Sequence, residues 1–420
     1  MYRRYVNVLR SPPHTDGTPG STRESRHDHR RLARAARRYP RPGRRRGTVE
    51  VYGLKRHFDS GAAHLLGELV TQVHPQFDLE AYVTEVGALV PPLELKDRVR
   101  VFSDGLRSRL PEDYPQALAT LLSILGEELA EGDGMFTTSW YLMPVARFVE
   151  DHGLGHPEIS LDAIEQITRR HTGEYAIRPY LDQHHEITME RVRTWAGSPS
   201  LNVRRLASEG IRPRLPWART LHRFVQDPTP VLGVLEALRS DPSPYVRKSV
   251  ANNLNDIARD HPDAVLDVLE RWAAESPTPE TEWISRHALR VLVKNGGQRA
   301  LALSGVTGGE HVRADRLVLS PATIRLGESV TLRAEIRNTD RHAHTVAIDY
   351  VVHHVRNNGR TLPKVFKLAS VELGPGESRV VEKRHPVREI TTRRYYPGTH
   401  VIDLQVNGRV VATDEFDLVR

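Results

Sequence analysis

The 420-residue sequence contains no cysteine and no long apolar run. Without cysteine the chain can form no disulfide, no thiolate zinc site and no thiol nucleophile, and it suits a reducing compartment. No stretch approaches the roughly 20 apolar residues that a membrane-spanning helix needs, and the N-terminal residues lack the apolar core of a secretory signal. We therefore expect a cytoplasmic protein with no membrane partner.

Several signatures of familiar enzyme classes are also missing. There is no glycine-rich loop that ends in Gly-Lys-Ser/Thr, and there is no Gly-x-Ser-x-Gly elbow. His185-Glu186 is followed by Met189 where a zinc protease helix carries its second histidine. His353-His354 falls in a strand pattern and is interpreted as a surface pair. The sequence therefore predicts no cofactor and no metal.

Positive charge is concentrated in the first 46 residues, which hold 14 arginines against three acids. That segment carries a net charge of +11, so the rest of the chain carries −4 of the total +7. The high pI is therefore no argument that the folded part binds nucleic acid. Residues 1–48 lack a periodic apolar pattern, which predicts a disordered basic extension. We interpret it as dispensable; an arm that adds non-specific DNA affinity is the alternative.

Residues 49–304 have the apolar spacing of α-helices, with breaks at prolines. The clearest segments are Leu65, Leu66, Leu69 and Val70, then Leu118, Leu121, Leu122 and Leu125, with breaks at Pro75, Pro91-Pro92 and Pro111.

A short segment recurs inside this helical region. Its copies are Asn202–Ala207, Tyr245–Val250 and, more weakly, Ile284–Leu289, and their arginines at 204, 247 and 286 lie 43 and 39 residues apart. Each copy opens the second helix of a pair. Two helices per roughly 40 residues is the period of HEAT-like repeats, which stack into a solenoid with a concave face. We predict such a domain over residues 49–304.

After Ser304-Gly305 the pattern changes to short strands. Polar and apolar residues alternate, with turns between, in Thr331–Arg337, Val346–Val352, Lys364–Leu368, Arg379–Lys383, Thr399–Val406 and Arg409–Asp414. About seven strands in about 105 residues are typical of an immunoglobulin-like sandwich. The predicted fold is thus multidomain, α plus β: a HEAT-like solenoid followed by an all-β sandwich at residues 313–420.

Two glutamates are candidate catalytic residues. Glu174 has an ordinary alternative, an i, i+4 pair with Arg178. Glu209 lies in the last turn of a helix that is predicted to end at Gly210, where the helix dipole disfavours an acid by about 0.3–1 kcal/mol. Arg204 and Arg205 lie one turn back and can compensate. An acid kept at that cost indicates function, and a surface residue paired with arginine remains the alternative.

Asp256 is the third candidate acid. It follows Lys248 and Asn252 at four-residue intervals, which forms a polar stripe on a predicted helix. Neighbouring asparagines disfavour a helix, which indicates that the stripe faces something. A solvated face with hydrogen bonds between repeats is the alternative. Trp217 follows Leu215-Pro216 and is either a core residue or an exposed ring that contacts a sugar or base.

Two longer runs, Val203–Trp217 and Tyr245–Ile257, resemble the AlkC branch of the AlkC/AlkD DNA alkylation repair glycosylases. Leu54–Asp59 and Glu174–Pro179 also resemble that branch, so the resemblance covers about residues 50–300. Many AlkC proteins carry an immunoglobulin-like domain. The tryptophan and aspartate that the AlkD branch places one helical turn apart are not evident.

The resemblance implies a base excision repair enzyme that releases 3-methyladenine and related cationic N-alkylated bases from double-stranded DNA. By motif position its catalytic acids are Glu174, Glu209 and Asp256, and Trp217 contacts the lesion. Carboxylates would stabilise the oxocarbenium and position water, with Asp256 or Glu174 in the second role and Glu209 in the first. The family is understood to work without flipping the base.

The resemblance also implies a bacterial, nucleoid-associated protein, and a monomer without an obligate protein partner is the default expectation. Candidate DNA contacts are Arg178, Arg205, Arg212, Arg214, Lys248 and Asn252. On the sandwich, Arg393, Arg394 and Tyr395-Tyr396 are candidates, with ordinary surface residues as the alternative. Two rival functions stay open: a non-catalytic HEAT-repeat scaffold and a protein that binds damaged DNA without releasing a base.

Overall fold

The structure, a computed structural model, describes residues 51–129, 139–275, 277–389 and 394–419. The predicted basic extension at residues 1–48 and the candidate Arg393 lie outside the described residues. The chain divides into two packing units, the first up to Thr172 and the second from Gly173 onwards.

The first unit is helical. Its α-helices are Val51–Leu54 (α1), Ser60–Val73 (α2), Leu79–Leu89 (α3), Leu95–Arg107 (α4), Tyr114–Ser123 (α5), Met143–His152 (α6) and Pro157–Thr168 (α7), with 3-10 turns at Lys55–His57 and Trp140–Leu142. Three helices begin at an aspartate N-cap whose carboxylate accepts the third helical amide: Asp59, Asp78 and Asp113. The proline breaks fall between helices as predicted.

The second unit begins with helices and continues into strands. Its α-helices are Arg178–Gln183 (α8), His185–Ala196 (α9), Leu201–Glu209 (α10), His222–Gln226 (α11), Thr229–Ala237 (α12), Pro244–Ile257 (α13), Pro262–Glu275 (α14), Pro279–Ala288 (α15), Arg290–Lys294 (α16) and Gln298–Leu303 (α17), followed by a 3-10 turn at Gly309–His311. The three predicted repeat copies lie on α10, α13 and α15, and α13 packs against both of the others. These helices thus form a row, as stacked repeats require.

The recurring arginine has a structural task in two of the three copies. Arg204 donates to the carbonyls of residues 198 and 199, and Arg247 donates to those of residues 241 and 242. Each arginine therefore braces the turn five and six residues before it. Arg204 also binds both carboxylate oxygens of Asp241, at 2.6 and 3.2 Å, which links one repeat to the next. In the weakest copy, Arg286 instead lies 3.5 Å from Glu282.

The strands form two facing sheets. Their bounds are Val312–Ala314 (β1), Val318–Ser320 (β2), Thr323–Arg325 (β3), Ser329–Asn338 (β4), His344–Val355 (β5), Thr361–Leu373 (β6), Ser378–Pro386 (β7), Gly398–Val406 (β8) and Arg409–Val419 (β9). In one sheet β4 pairs with β1, β2 and β7; the other has the order β3-β9-β8-β5-β6. All pairs are antiparallel except β3 with β9.

Alternating burial along the strands makes the sandwich core. In β4 the side chains of Val330, Leu332, Ala334 and Ile336 are buried, and the residues between them face outwards or are half-buried. Every strand segment predicted from sequence lies inside an observed strand. The estimate of seven strands was too low, because β1, β2 and β3 have only three residues each, which is too few for an alternating pattern to be recognised in the sequence. Among the described residues, no helix has the length and apolar character needed to cross a membrane.

Candidate active site

Glu174 and Glu209 share one arginine. Glu174 lies in the turn before α8, and its carboxylate accepts a hydrogen bond from Arg205 of α10. The same guanidinium lies 3.5 Å from Glu209, one turn further along α10. Both glutamates are buried, with 7% and 6% of their surface exposed. Arg205 therefore holds two acids together that are 35 residues apart in sequence.

Arg212 continues the series to Asp256. It donates to Oε1 of Glu209 at 2.7 Å and to Oδ2 of Asp256 on α13 at 2.8 Å. The result is a row of five buried or half-buried side chains with alternating charge, which we call the charge row: Glu174, Arg205, Glu209, Arg212 and Asp256. The structure thus brings the three predicted acids together, and the charge row has one more negative charge than positive.

Glu209 and Asp256 differ in how their carboxylate oxygens are used. Glu209 engages both oxygens, since Oε1 accepts from Arg212 and Oε2 accepts from Ser249 at 2.6 Å. At Asp256, Arg212 occupies Oδ2, and no described residue donates a hydrogen bond to Oδ1. Glu209 is therefore fixed as a charge, whereas Asp256 retains an oxygen that can bind water or substrate.

Electrostatics separates the same two acids. Burial alone would raise the pKa of Glu209, but Arg205, Arg212 and the Ser249 hydroxyl outweigh it and hold that pKa below its usual range. At Asp256 burial prevails and raises the pKa, although Arg212 acts in the opposite direction. Two neighbouring carboxyls whose pKa values are pushed apart are typical of sites where one acid carries charge and the other handles protons.

The compensation of Glu209 differs from the prediction in one partner. Arg205 does reach Glu209, but Arg204 points away to Asp241, and Arg212 takes its place. Gly210 ends α10 as predicted, but with φ −63° it needs no left-handed conformation. Glycine is needed here because the end of α10 packs closely on Ile177, and a Cβ at this position would lie 2.9 Å from the Ile177 side chain.

Arg178, a predicted DNA contact and a possible partner of Glu174, has another task. It is 3% exposed, and its guanidinium nitrogens donate to the backbone carbonyls of Gly210, Arg212 and Arg219. A buried guanidinium whose donors are used by backbone is not available to a phosphate. Arg178 therefore fixes the segment between α10 and α11, which holds Arg212 and Trp217.

Trp217 is exposed, so it is not a core residue. Its surface is 62% accessible, the largest value among the exposed large apolar side chains of the described residues. Its backbone lies in the left-handed region with φ +61°, a conformation that costs a non-glycine residue roughly 1–3 kcal/mol. The preceding carbonyl of Pro216 accepts from the Tyr175 hydroxyl at 3.4 Å. The protein thus holds an exposed indole on a strained backbone, five residues after Arg212 of the charge row.

The remaining predicted DNA contacts are placed differently from one another. Arg205 is half-buried and Arg212 is buried, and each lies between two acids, so their positive charge is already used. Arg214 is partly exposed and is paired with Asp260. Asn252 is half-buried and accepts from Arg290 at 3.1 Å. Lys248 is exposed on α13. Of this set, Lys248 and Arg214 have the accessibility that a phosphate contact needs.

On the sandwich, the described candidates are Arg394, which is exposed, and Tyr395-Tyr396, which are half-buried. Tyr395 packs edge-on against His354 at 5.4 Å between ring centroids, so its ring belongs to the rim of the core.

Sequence reasoning missed three polar residues that support Glu209. Ser249 donates to Glu209, and Asn253, which is completely buried, donates to the carbonyl of Ser208 at 2.8 Å. Tyr245 places its ring 5.2 Å from the guanidinium of Arg205. The asparagine-rich composition of α13 indicated a polar face, but Asn253 and Asn255 are both buried, and Asn253 is directed at α10.

Two family models match the chain, one in the helical region and one in the sandwich. The family model "DNA alkylation repair enzyme" matches residues 171–292, and the model "Uncharacterised protein YhaZ, C-terminal Ig-like domain" matches residues 313–420. The chain is 37% identical over 328 residues to "Uncharacterized protein YhaZ" of Bacillus subtilis (strain 168), which covers 78% of this chain and 88% of that protein.

The chain is also similar to the solved structure of Pseudomonas fluorescens alkylpurine DNA glycosylase AlkC bound to DNA containing an abasic site analog. The TM-score is 0.81 at 35% identity, and the match covers 87% of this chain and 99% of that one. Both similarities extend over most of the two chains compared, through the helical repeats and the sandwich. The chain therefore belongs to the AlkC-type DNA glycosylases of the DNA alkylation repair enzyme family.

Proposed function

We propose that this protein binds double-stranded DNA and hydrolyses the N-glycosidic bond of cationic N-alkylated purines, of which 3-methyladenine is the type substrate. The observation that carries the proposal is the charge row, where Glu209 is held ionised beside an Asp256 whose pKa burial raises. The similarity to an alkylpurine DNA glycosylase bound to DNA supports the substrate class. Such a protein would work on the bacterial nucleoid, in the cytoplasm.

The chemistry of the lesion matches what these carboxylates can supply. N3-alkylation makes the base positively charged, so it departs as a neutral molecule when the bond to C1′ breaks and takes the bonding electron pair. Positive charge then develops on the sugar. A fixed carboxylate at that place stabilises the transition state because the charge is not present to the same degree in the ground state. We assign this role to Glu209. Glu174, on the other side of Arg205, offsets the positive charge of that arginine, so that the charge row stays negative.

Asp256 is the proposed base for the attacking water. Its Oδ1 is the oxygen to which no described residue donates, and its raised pKa makes it a better proton acceptor than an ordinary aspartate. The water oxygen forms the new bond to C1′, and its proton passes to Asp256. The products are an abasic site and the free base.

Selectivity for alkylated bases would follow from how readily the cationic base departs, and not from a pocket that encloses it. The base could therefore stay stacked in the DNA duplex. The exposed, strained Trp217 is the proposed lesion contact, because a rigid indole can pack on the sugar or base from the groove. Lys248 and Arg214 are the proposed phosphate contacts, and Arg394 is proposed to contact the backbone from the sandwich.

Release of free base from duplex DNA treated with a methylating agent tests the function directly. The wild-type chain should release 3-methyladenine. The same reaction on untreated DNA is the control. Salt-dependent binding to the treated duplex without release would favour a damage-binding protein, and neither binding nor release by a folded chain would favour a scaffold. Either outcome would refute the proposal.

Retention of the base in the stack has a separate test. A glycosylase with a fitted pocket rejects bulky adducts, because even one extra methylene costs about 1–3 kcal/mol in such a pocket. We expect N3-alkyl adenines with larger alkyl groups to be released within about tenfold of the methyl compound. A steep decline with alkyl size would contradict the proposal that no pocket encloses the base.

A further inference from the structure

Three side chains converge at one end of the sandwich. His311 closes the 3-10 turn before β1, Asp340 lies in the β4–β5 turn, and His344 begins β5. One ring nitrogen from each histidine and one carboxylate oxygen all lie within 4.8 Å of one another. The two imidazole rings are stacked, with centroids 5.6 Å apart and planes 15° from parallel.

The distances within this cluster bracket those of a tetrahedral metal site. Zinc bonds of about 2.0–2.2 Å to nitrogen and oxygen place two tetrahedral ligand atoms about 3.3 Å apart. Oδ2 of Asp340 lies 2.7 Å from Nε2 of His344 and 3.8 Å from Nε2 of His311. Each distance differs from the ideal by about half an ångström, which a side-chain rotation can supply. We propose that His311, Asp340 and His344 bind a divalent transition metal of the zinc class.

The backbone around the cluster is fixed before any ligand arrives. Asn338 is fully buried, and its side chain donates to the carbonyl of His342 and accepts from the amide of Asp340. Thr339 donates from both its amide and its hydroxyl to the carbonyl of His311. The turn that carries Asp340 is therefore tied to the segment that carries His311. Ligands that are already held in place reduce the entropic cost of binding a metal.

Gly308 provides the space that the His344 ring occupies. Its φ is +63°, and a Cβ at this position would lie 2.1 Å from Cγ of His344. Thr307, next to it, places its hydroxyl 3.3 Å from Nδ1 of the same ring. A metal-bound histidine usually donates its second nitrogen to an oxygen, which fixes the tautomer. Thr307 can accept that proton, and Nε2 of His344 is then the ligand atom.

A fourth ligand is within reach. Oε1 of Glu310 lies 3.5 Å from Nε2 of His311, and a water can fill the position when Glu310 turns outwards. Because His311 belongs to the segment that leads into the sandwich and the other two ligands belong to one of its turns, the metal would tie that entry segment to the β4–β5 turn. This is a structural role, separate from the charge row and from base release.

The same sheet offers a matched control. His353 and Asp403 also form a histidine–aspartate pair at 2.7 Å, but the second carboxylate oxygen accepts from Thr413 instead of facing another histidine. If a lone histidine–carboxylate pair sufficed to hold the metal, His353→Gln would affect binding as much as a change in the cluster.

Calorimetric titration of the chelator-treated full-length chain with Zn²⁺ tests the site. We expect wild type and His353→Gln to bind one equivalent with the same affinity, and His311→Gln and His344→Gln to bind it at least about tenfold more weakly. Because His311 is 46% exposed, its replacement should leave folding intact, which circular dichroism can verify. Titration with Co²⁺ should produce the strong visible absorption of a tetrahedral site in the first two proteins only.

Four identical isotherms would overturn the proposal, because the chain has 21 histidines and zinc held elsewhere would not depend on this cluster. An equal loss in His353→Gln would overturn it too. A Co²⁺ spectrum typical of octahedral coordination would contradict the tetrahedral geometry.

Discussion

Replacement of Asp256 by asparagine should separate activity from stability. In the wild type, Arg212 donates to Asp256 at 2.8 Å and to Glu209 at 2.7 Å. Asparagine keeps the shape and one acceptor oxygen, and Arg212 keeps Glu209 as a charged partner. The variant therefore leaves no buried guanidinium without an acceptor, which is the situation that makes broken ion pairs costly.

The expected stability change is small because two effects oppose each other. A charge-assisted hydrogen bond worth about 1.5–3 kcal/mol becomes a neutral one worth about 0.5–1.5 kcal/mol. Against this, burial raises the pKa of Asp256, so ionisation of this group opposes folding and its stabilising contribution is lost as the pH rises through that pKa. At neutral pH asparagine removes that cost. We expect the free energy of unfolding to change by less than about 1 kcal/mol.

Activity should change far more. Asparagine cannot accept the water proton and supplies no negative charge to the sugar, and loss of one such group typically costs 10²–10³-fold, or about 2.7–4 kcal/mol of transition-state stabilisation. Single-turnover release of 3-methyladenine from a methylated duplex measures this loss. Urea denaturation of the same preparation measures the free energy of unfolding.

Asp241→Asn is the matched control. Asp241 is also buried and also binds an arginine, through both oxygens to Arg204, but it lies outside the charge row. We expect it to lose about 1–3 kcal/mol of stability and to retain base release within about threefold. The reasoning is refuted if Asp256→Asn releases base at the wild-type rate, or if both variants lose activity in proportion to their stability.

Three further predictions concern the same site. Base release by wild type should fall as the pH drops through the raised pKa of Asp256, which lies above the usual aspartate value of about 3.9. The residual activity of Asp256→Asn should not show this decrease in acid. A wild-type pH profile without the decrease would exclude Asp256 as the base. Glu209→Gln should lower the free energy of unfolding at pH 7 by about 1–3 kcal/mol, because Arg205 and Arg212 each lose one acid partner and keep another. Because the folded-state pKa of Glu209 is depressed, its contribution is present above the unfolded value and is lost as the pH falls, so denaturation of wild type and variant should converge in acid; a constant difference would contradict this linkage. Trp217→Ala should change stability by less than about 0.5 kcal/mol, since the ring is exposed, and should slow base release at least about tenfold; unchanged release would remove Trp217 from the lesion contact.

The repeat architecture could be predicted because periodic spacing is a local property. In the two clearest copies, the marker arginine braces the turn five and six residues before it, so this contact repeats with the sequence. The sandwich strands were detected wherever alternation ran for five residues or more. The three-residue strands were missed because so short a segment contains no period.

The positions of the candidate acids could also be predicted, but their partners could not. Arg205 and Arg212 read as DNA contacts in sequence, since arginine on a concave helix face suits phosphate. Their burial between acids depends on how α10, α13 and the segment fixed by Arg178 meet in space, and no local pattern encodes that placement. The cluster of His311, Asp340 and His344 was likewise invisible, because His311 precedes β1 and is brought to the β4–β5 turn only when the sandwich folds.

Affinity for an analogue of the sugar cation tests the central claim most directly. Binding of wild type should be compared, at one salt concentration, between a duplex with a positively charged azasugar at the lesion and a duplex with a neutral tetrahydrofuran. We predict that wild type binds the cationic duplex at least about tenfold more tightly and that Glu209→Gln and Asp256→Asn lose this preference. Equal affinity of wild type for the two duplexes would contradict the account, because the charge row would then provide no stabilisation to a cation at C1′.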